Sequence, residues 1–368
     1  MSVTINGSSG LVFADNTAQT TAATCGLVNK IINGRMEIDQ RNAGASVSFD
    51  GSSGYCLDRY VAQETTSSGS FTVQQSSTAP TGFINSLLLT VTAANSSLAS
   101  SDRNTIKQAI EGLNVADLGW GTANAQTVTL SFWVRSSVTG TFGGGFTNSA
   151  GDRGYPFTYT ISSANTWEQK SVTIAGDTSG TWLKTNGIGI NVWFAIGCGT
   201  DYTGTAGAWA SSGYRSATGA TNLMATNGAT FYITGVDLRK GSVGATSQTM
   251  DVRPYGTELA LCQRYFYADR APATGIGLCA GVCFTSSGPL YVYRYPVIMR
   301  TSPTFTYSAL SDFHVVYSGA VSTPTLLAAS AGSVSSCRLD ATSTVVSGQG
   351  SILQTATGNA VLNFSAEL

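Results

Sequence analysis

Short segments of alternating apolar and polar residues recur along this chain, and glycine-rich turns separate them. The clearest segments are SFTVQQ, SLLLTVTA, TVTLSFWVRSS, QKSVTIAG, GIGINVWFAIG and ATFYITGVDL. An alternation with a period of two places successive side chains on opposite faces of a β-strand. Many short strands joined by turns predict an antiparallel β-sandwich or barrel between about residues 33 and 244.

The composition agrees with a β-rich chain and narrows the classes of partner. Of the 368 residues, 42% are hydrophobic and only 11% are charged, against about 25% charged in an ordinary soluble domain. The 42 glycines and the abundant Ser and Thr suit strands and tight turns better than helices. The net charge is −1, without a basic run, so we expect no nucleic-acid partner.

Two stretches have a helical pattern, and a second strand-rich unit follows them. DRNTIKQAIEGL places its apolar residues on one helical face behind Asp102, and TELALCQRYF follows Pro254 and Gly256. The later segments PLYVYRYPVIM, SDFHVVYSGAV, SCRLDATSTVV and NAVLNFSAEL predict a second small β-sandwich. We therefore divide the chain into a short N-terminal β segment, a main unit, a linker helix and a C-terminal unit: residues 1–30, 31–245, 246–268 and 269–368.

The sequence predicts no membrane insertion, no signal peptide and no disulfide framework. No stretch approaches the roughly 20 apolar residues of a membrane span, and MSVTINGSSG lacks the basic start and apolar run of a signal peptide. We therefore expect synthesis and folding in a cytosol. The seven cysteines are an odd number without a CxxC pair, which predicts free thiols and no zinc site. The exception would be a covalent link between subunits, for which Cys25 is the candidate.

Several motifs, read in order from about residue 8 to residue 267, carry a resemblance to a known family. They are SSGLVFADNTAQTTAA, NGRMEIDQRN, YCLDRY, IEGLNVADLGWGTANAQTVTLSFWVRSS, TWEQKSVTIAGDTSGTW, FYITGVDLRKG and RPYGTELALCQRYF. The sequence resembles phage virion fibre and receptor-binding proteins with a carbohydrate-binding-module-like jelly roll. The resemblance implies a jelly-roll β-sandwich in an all-β virion protein, usually homotrimeric, whose partners are other virion proteins and host surface glycans.

The N-terminal segment also suggests self-association. Val3, Ile5, Leu11, Val12 and Phe13 are too few apolar residues to form a core of their own and need partners from elsewhere. Sister chains about a three-fold axis would supply them. The alternative is packing on the jelly roll of the same chain or on a virion adaptor.

The sequence favours a non-enzymatic protein without a cofactor. Its only histidine, His314, lies in a strand pattern, and the chain has no GxSxG elbow and no P-loop. A glycosidase needs two carboxylates, but the candidates Asp58, Glu111, Glu168 and Asp201 are scattered. We predict a tail fibre or spike that binds glycans. The alternatives are a capsid decoration or tail adaptor that uses the jelly roll as a spacer and, after it, a polysaccharide depolymerase.

The resemblance also implies a structural calcium ion, which the residues do not favour. Such jelly rolls use an acid after an NG motif, where Glu37 fits, and an Asp pair in the last strand. Thr234 and Gly235 occupy the positions of that pair, which leaves only Asp237. Calcium prefers six to eight oxygen ligands. We therefore predict no metal site and interpret Glu37 and Asp237 as surface acids.

Two strands place a tryptophan on the side opposite their apolar face. In TVTLSFWVRSS, Trp133 and Arg135 lie on the polar side, and in GIGINVWFAIG the same holds for Asn191 and Trp193. A sugar ring stacks its apolar face on an aromatic plane and needs polar partners at its rim. Our hypothesis is that Trp133 and Trp193 line a glycan groove in which Arg135 and Asn191 orient the ligand. The alternative is that a loop, the N-terminal segment or another subunit covers both rings.

Overall fold

The chain is almost entirely β-structure, which confirms the predicted all-β fold class. The computed structural model describes the backbone of residues 4–6, 10–12 and 18–19 and the full structure of residues 28–64, 69–242 and 251–368. Among the described residues, no helix is long and apolar enough to cross a membrane.

The elements fall into an N-terminal sheet and two larger units. The N-terminal sheet consists of β1 (Thr4–Asn6), β2 (Gly10–Val12) and β3 (Ala18–Gln19). The first unit contains β4 (Val47–Phe49), β5 (Ser53–Leu57), β6 (Tyr60–Gln63), β7 (Ser70–Ser76), β8 (Ser86–Ala93), β9 (Arg103–Glu111), α1 (Gly112–Val115), β10 (Val128–Ser136), β11 (Gly140–Thr147), β12 (Gly154–Ile161), β13 (Glu168–Ile174), β14 (Ile188–Cys198), β15 (Thr203–Gly204), β16 (Ser216–Ala217) and β17 (Thr230–Lys240). The second unit contains α2 (Tyr255–Gln263), β18 (Phe266–Arg270), β19 (Gly277–Thr285), β20 (Gly288–Arg294), β21 (Thr304–Tyr307), β22 (Phe313–Tyr317), β23 (Ala320–Ser322), β24 (Leu326–Ser330), β25 (Ser336–Thr342), β26 (Gly350–Thr355) and β27 (Val361–Ser365). Short 3₁₀ helices cover Ala116–Leu118, Thr200–Tyr202, Leu223–Ala225 and Leu310–Asp312.

The first unit is a jelly-roll β-sandwich of two six-stranded antiparallel sheets. Sheet one has the strand order β13-β10-β17-β8-β7-β4, and sheet two has the order β12-β11-β14-β9-β6-β5. The apolar side chains of the alternating segments fill the space between the sheets. Phe132 of sheet one and Phe194 of sheet two pack there edge to face with ring centroids 5.1 Å apart. Aromatic side chains of both sheets therefore share one core.

The helix predicted for DRNTIKQAIEGL is wrong, because Arg103–Glu111 form strand β9. β9 pairs with β14 on one edge and β6 on the other, so it is a central strand. Residues on both of its faces are buried. Ile106 and Ile110 point into the core, while Thr105 is buried on the opposite face. A strand covered on both faces loses the clean polar and apolar alternation by which strands are recognised. Asp102 accepts a hydrogen bond from Ala99 N at 2.8 Å instead of capping a helix.

The second unit is the predicted small sandwich. A seven-stranded sheet, sheet three, has the order β23-β22-β26-β19-β20-β25-β24 and packs on sheet four, β18-β27-β21. Tyr291, Phe313, Leu353 and Phe364 are buried between them. The predicted linker helix corresponds to α2, and strand β18 of sheet four already begins at Phe266.

The two units meet at a polar junction around α2. A small apolar cluster of Ile32, Ile38, Cys262 and Tyr265 lies beside an ion pair between Arg264 and the buried Glu111, with 2.7 Å between Nη2 and Oε1. The junction is therefore a packed interface and not a flexible tether.

The N-terminal sheet is antiparallel, in the order β1-β2-β3. The side chains of Ile5, Leu11 and Val12 lie outside the described part of the structure, as do Val3 and Phe13 altogether, so the trimerisation hypothesis for this segment stays a prediction. Cys25 also lies outside the described residues. The six described cysteines are free thiols.

Candidate functional site

The structure does not bring the two predicted tryptophans together. Trp133 lies on β10 of sheet one, and Trp193 lies on β14 of sheet two. Both side chains point away from the core between the sheets, because Phe132 and Phe194 beside them point into it. The tryptophans therefore occupy opposite outer faces of the sandwich, and the single groove predicted from the sequence is wrong.

Trp193 and Asn191 are covered, which corrects their predicted role in a groove. The Trp193 side chain is 3% exposed, and its Nε1 donates to Thr147 Oγ1 at 2.9 Å. Asn191 Nδ2 is 3.4 Å from the same hydroxyl and is itself buried. The segment 199–217, here called the crossing segment, lies over this face. It fits because β11 has glycines beneath it: a Cβ on Gly143 would lie only 2.1 Å from Ser216 Oγ.

Trp133, in contrast, stays partly exposed on the outer face of sheet one. Its position depends on Gly235, which has a φ of +61° that favours glycine. A Cβ at Gly235 would lie 3.0 Å from Trp133 Cδ1 and 2.8 Å from Phe83 Cζ. The pairing of β10 with β17 shifts register between Ser131 and Trp133, and such a bulge re-aims a side chain. Gly235 and the bulge together set the position of the indole.

Two further aromatic rings extend this surface. Arg135 is the register partner of Tyr232 on β17, and its Cζ lies 5.0 Å from the centroid of the Tyr232 ring. Trp167, just before β13, lies edge to face against Tyr232 with centroids 6.0 Å apart. Arg135 Nε donates to Asn165 O at 2.9 Å, which fixes the guanidinium beside the Tyr232 ring. We call Trp133, Trp167, Tyr232 and Arg135 the aromatic platform.

The sequence reasoning missed Trp167 and Tyr232. Tyr232 alternates with the buried Phe231 and Ile233, so the same period-two argument that found Trp133 would have found it. Trp167 precedes the strand QKSVTIAG and lies outside any alternating window, so only the pairing of β13 with β10 reveals its place.

The aromatic platform is suited to a flat ligand with polar edges. Its three rings are half-buried. Tyr232 lies in one cross-strand row with Arg135, Trp167 contacts Tyr232, and Trp133 lies two residues before Arg135 on the same face of β10. The row continues through Leu88 and Gln74, the register partners on β8 and β7, and Gln169 lies opposite Trp133. The aromatic rings can contact the apolar face of a sugar ring, and the amide and guanidinium groups beside them can hydrogen-bond to its hydroxyl groups.

The candidate catalytic acids remain apart, each with a local partner. Asp58 is fully buried, and burial raises its pKa to about 7. Glu111 is buried in the junction with Arg264. Glu168 Oε2 lies 2.6 Å from Lys170 Nζ, and the carboxylate of Asp201 accepts from Ser100 Oγ at 3.1 Å. No two of these acids face each other across a cleft in the described part of the chain.

The two acids considered for a calcium site, Glu37 and Asp237, differ in burial. Glu37 pairs with Arg35 at 2.8 Å between Oε1 and Nε. Asp237 is not a surface acid as expected: it is 1% exposed and pairs with Arg239 at 2.6 Å. Asp237 needs this partner because a buried carboxylate without a countercharge is costly. In residues 28–64, 69–242 and 251–368, no three His, Cys, Asp or Glu side chains group as metal ligands do.

Comparisons with known proteins give similarities of structure only. No family model matches the sequence, and no curated protein matches it. The enzymatically active domain of tailspike protein 4 from bacteriophage CBA120 is 13% identical over 58% of this chain, with a TM-score of 0.30. The match covers 21% of the tailspike chain, so this chain spans about a fifth of it.

Carbohydrate-binding modules are also among the similar structures. A family 11 module from Clostridium thermocellum, in complex with a β-1,3-1,4-mixed-linked tetrasaccharide, is 7% identical over 54% of this chain and 96% of its own, with a TM-score of 0.27. The module TmCBM61, in complex with β-1,4-galactotriose, is 9% identical over 49% of this chain and 88% of its own, with a TM-score of 0.26.

Proposed function

We propose that this chain is a non-enzymatic glycan-binding protein and that sugar rings stack on the aromatic platform. The observation that carries the proposal is the group of three partly exposed rings, Trp133, Trp167 and Tyr232, on one outer face of the sandwich. Arg135 lies among them, and its guanidinium is held by Asn165 O. Large aromatic side chains are normally buried, and a partly exposed group of them with polar neighbours marks a binding surface.

We further propose that the protein is a component of a phage virion, a tail fibre or spike that contacts host surface glycans. Support for this role comes from the sequence motifs that resemble phage fibre and receptor-binding proteins. A capsid decoration or tail adaptor is the competing role, and it predicts that the aromatic platform binds no glycan.

Self-association into a homotrimer is part of this proposal, and the outer face of sheet three supports it. Register pairs place Val321, Val316 and Ile352 in one row across β23, β22 and β26, and the row continues to Val292 on β20. Val321, Ile352 and Val292 are 56%, 44% and 66% exposed, and Phe284 on β19 is 70% exposed.

A second copy of the chain is the occupant that we assign to this face. Together these side chains leave on the order of 400 Å² of apolar surface in contact with water, which matches the largest patches found on monomers. It is also about half of the roughly 800 Å² that each partner buries in a stable interface.

Affinity electrophoresis of the intact chain tests glycan binding. The gels contain mixed-linkage β-glucan, xylan or purified bacterial lipopolysaccharide. We expect retardation in at least one gel and a loss of affinity of at least about tenfold in the Trp133→Ala/Trp167→Ala variant, because each ring supplies stacking area. The matched control is Tyr255→Ala, an aromatic residue that is 60% exposed on α2, which should migrate like the parent.

Two results would contradict the proposal. Failure of the parent protein to bind any glycan on a broad array supports the spacer role. Unchanged glycan binding by the Trp133→Ala/Trp167→Ala variant, with an unchanged melting temperature, would show that the glycan site lies elsewhere on the protein. The single variant Trp167→Ala provides a second test if the double variant misfolds, because Trp167 lies at the edge of sheet one and contributes little to the core.

A further inference from the structure

The covered outer face of sheet two has a group of cations and aromatic rings around Trp193. Lys107 on β9 is the register partner of Trp193, and its Nζ lies 4.9 Å from the centroid of the indole. Arg215 comes from the crossing segment, and its Cζ lies 4.3 Å from the Trp193 ring centroid and 4.6 Å from that of Tyr202. Arg103 donates to Tyr202 Oη at 3.1 Å. We call Arg103, Lys107, Trp193, Tyr202 and Arg215 the cationic cluster.

Lys107 and Arg215 contact neutral acceptors. Lys107 Nζ is 3.4 Å from Asn191 Oδ1, and Arg215 Nη1 is 3.0 Å from Gln63 Oε1. Within the part of the chain that the structure describes, neither Lys107 nor Arg215 forms an ion pair with a carboxylate. Burial, followed by the nearby positive charge of Arg215, lowers the pKa of Lys107 to about 8. Two half-buried cations therefore lie together without a countercharge.

A buried hydroxyl group beside these cations also lacks a partner. Thr105 lies between Arg103 and Lys107 on β9, so the alternation of the strand places it on the same face. Thr105 is 0% exposed, and its Oγ1 has no hydrogen-bond partner among the described residues. Native proteins satisfy nearly all buried polar groups, so an orphan donor next to unpaired cations points to an absent acceptor.

A cavity of about 230 Å³ lies next to the residues that neighbour the cluster: its wall includes Ala195, the register partner of Thr105, and Ser216, which follows Arg215 in the chain. Polar side chains in its wall include Thr203, Ser216 and Asn222, and Cys198 also lines it. Burial raises the pKa of the Cys198 thiol to about 12, so the thiol is protonated at neutral pH. Drug-sized ligands occupy at least about 300 Å³, so this space suits a single sugar residue.

We propose that the cationic cluster and this cavity bind the carboxylate of an acidic sugar residue, a uronic acid, at a site separate from the aromatic platform. Lys107 and Arg215 supply the positive charge and Thr105 donates to a carboxylate oxygen. The hydroxyl and amide groups of the cavity wall contact the sugar. Trp193 is too deeply buried to stack on the ligand and instead positions Arg215 and Lys107, both of which contact its ring. Nucleic acid fits less well, because a few clustered cations do not form a track along a phosphate backbone.

Isothermal titration calorimetry on the full chain tests this site with three probes: trigalacturonate, neutral galactotriose and sodium sulfate. We expect trigalacturonate to bind and galactotriose to bind at least about tenfold more weakly at this site. Lys107→Gln and Arg215→Gln should each weaken trigalacturonate binding by at least about tenfold, whereas Arg215→Lys should retain most of it because the charge remains. The matched control is Lys170→Gln, which removes a lysine of sheet one that pairs with Glu168.

Each alternative outcome overturns the proposal. Sulfate that binds as tightly as trigalacturonate would show a site for free anions and not for an acidic sugar. Absence of binding by all three probes, with a higher melting temperature for Lys107→Gln than for the parent, would show that the cluster is only a structural stack. The Trp133→Ala/Trp167→Ala variant should bind trigalacturonate like the parent, so failure of the aromatic platform and failure of this site can be distinguished.

Discussion

Replacing Glu367 with glutamine removes the charge that balances a buried arginine at the junction of the two units. The side chain of Arg59 is 1% exposed and pairs with the carboxylate of Glu367, which is 5% exposed. Arg59 Nη2 also donates to Ala109 O at 2.6 Å, and its Cζ lies 3.6 Å from the Tyr265 ring centroid. Burial acts to lower the pKa of Arg59, but Glu367 and the other nearby groups raise it above its usual value.

The expected loss of stability follows from this burial. Removing one partner of a buried ion pair leaves the other charge uncompensated and costs about 3–5 kcal/mol. Glutamine keeps one acceptor oxygen but presents a neutral amide to the guanidinium of Arg59. Arg41, whose Nη2 lies 2.7 Å from Glu367 Oε1, loses the same countercharge. We therefore expect the free energy of unfolding to fall by about 3 kcal/mol. At about 2–4 °C per kcal/mol for units of this size, the melting temperature falls by about 6–12 °C.

Scanning calorimetry and urea unfolding measure this change. Because Glu367 belongs to the second unit and Arg59 to the first, the Glu367→Gln variant should also broaden or split the transition. The control is Asp340→Asn, which breaks the more exposed pair with Arg338 and should cost less than about 1 kcal/mol.

A combined Arg59→Met/Glu367→Leu variant separates charge from packing. It should recover most of the loss, since the buried guanidinium of Arg59 is gone and Arg41 keeps Asp58 as a neighbour, with 3.8 Å between Nε and Oδ1. The reasoning is refuted if Glu367→Gln unfolds within about 0.5 kcal/mol of the Asp340→Asn control.

Three further predictions concern other parts of the molecule. The pKa of the Asp58 carboxyl is about 7 in the folded protein and about 3.9 in the unfolded chain. Between these two pH values the folded protein holds a proton that the unfolded chain does not. The free energy of unfolding should therefore fall as the pH rises from 4 to 7, and urea titrations of Asp58→Asn should show a smaller slope. Gly235→Ala should lower the free energy of unfolding by about 1–3 kcal/mol and weaken glycan binding, because the added Cβ displaces Trp133 at a positive φ. Val292→Glu should reduce the mass measured by light scattering from trimer to monomer, and a monomeric parent protein would contradict the assembly proposal.

Alternation alone predicted most of the architecture, because nearly every strand of the first sandwich has one face in a common core. The same rule failed at β9, where Thr105 and Ile106 are buried on opposite faces and the helical spacing of Ile106 and Ile110 is a coincidence. α2 was predicted near its true position because Pro254 and Gly256 punctuate its start.

Alternation also located part of the candidate glycan site, and it failed where long-range packing decides which face is covered. Local alternation correctly placed Trp133 and Trp193 off the core, yet it contains no information about which distant segment covers a face. The covering of Trp193 depends on residues 199–217 and on the glycines of β11. The run FGGGF at 142–146 was a signal of close backbone approach, because a Cβ at Gly145 would lie 2.8 Å from Tyr214 O.

The two outer faces of the first sandwich differ because of what flanks each tryptophan. On sheet two, small residues beside Trp193 admit a second layer of chain, and the indole becomes a support for Arg215. On sheet one, Trp133 lies beside Gly235 and Phe83 and stays partly exposed. Each aromatic and cationic group of the aromatic platform has a partner that fixes it, including Tyr232 for Trp167 and Asn165 O for Arg135. A ligand that binds there does not have to immobilise these side chains, which otherwise costs about 0.5–1.5 kcal/mol for each one, so a shallow surface without an enclosing cavity can still bind a glycan measurably.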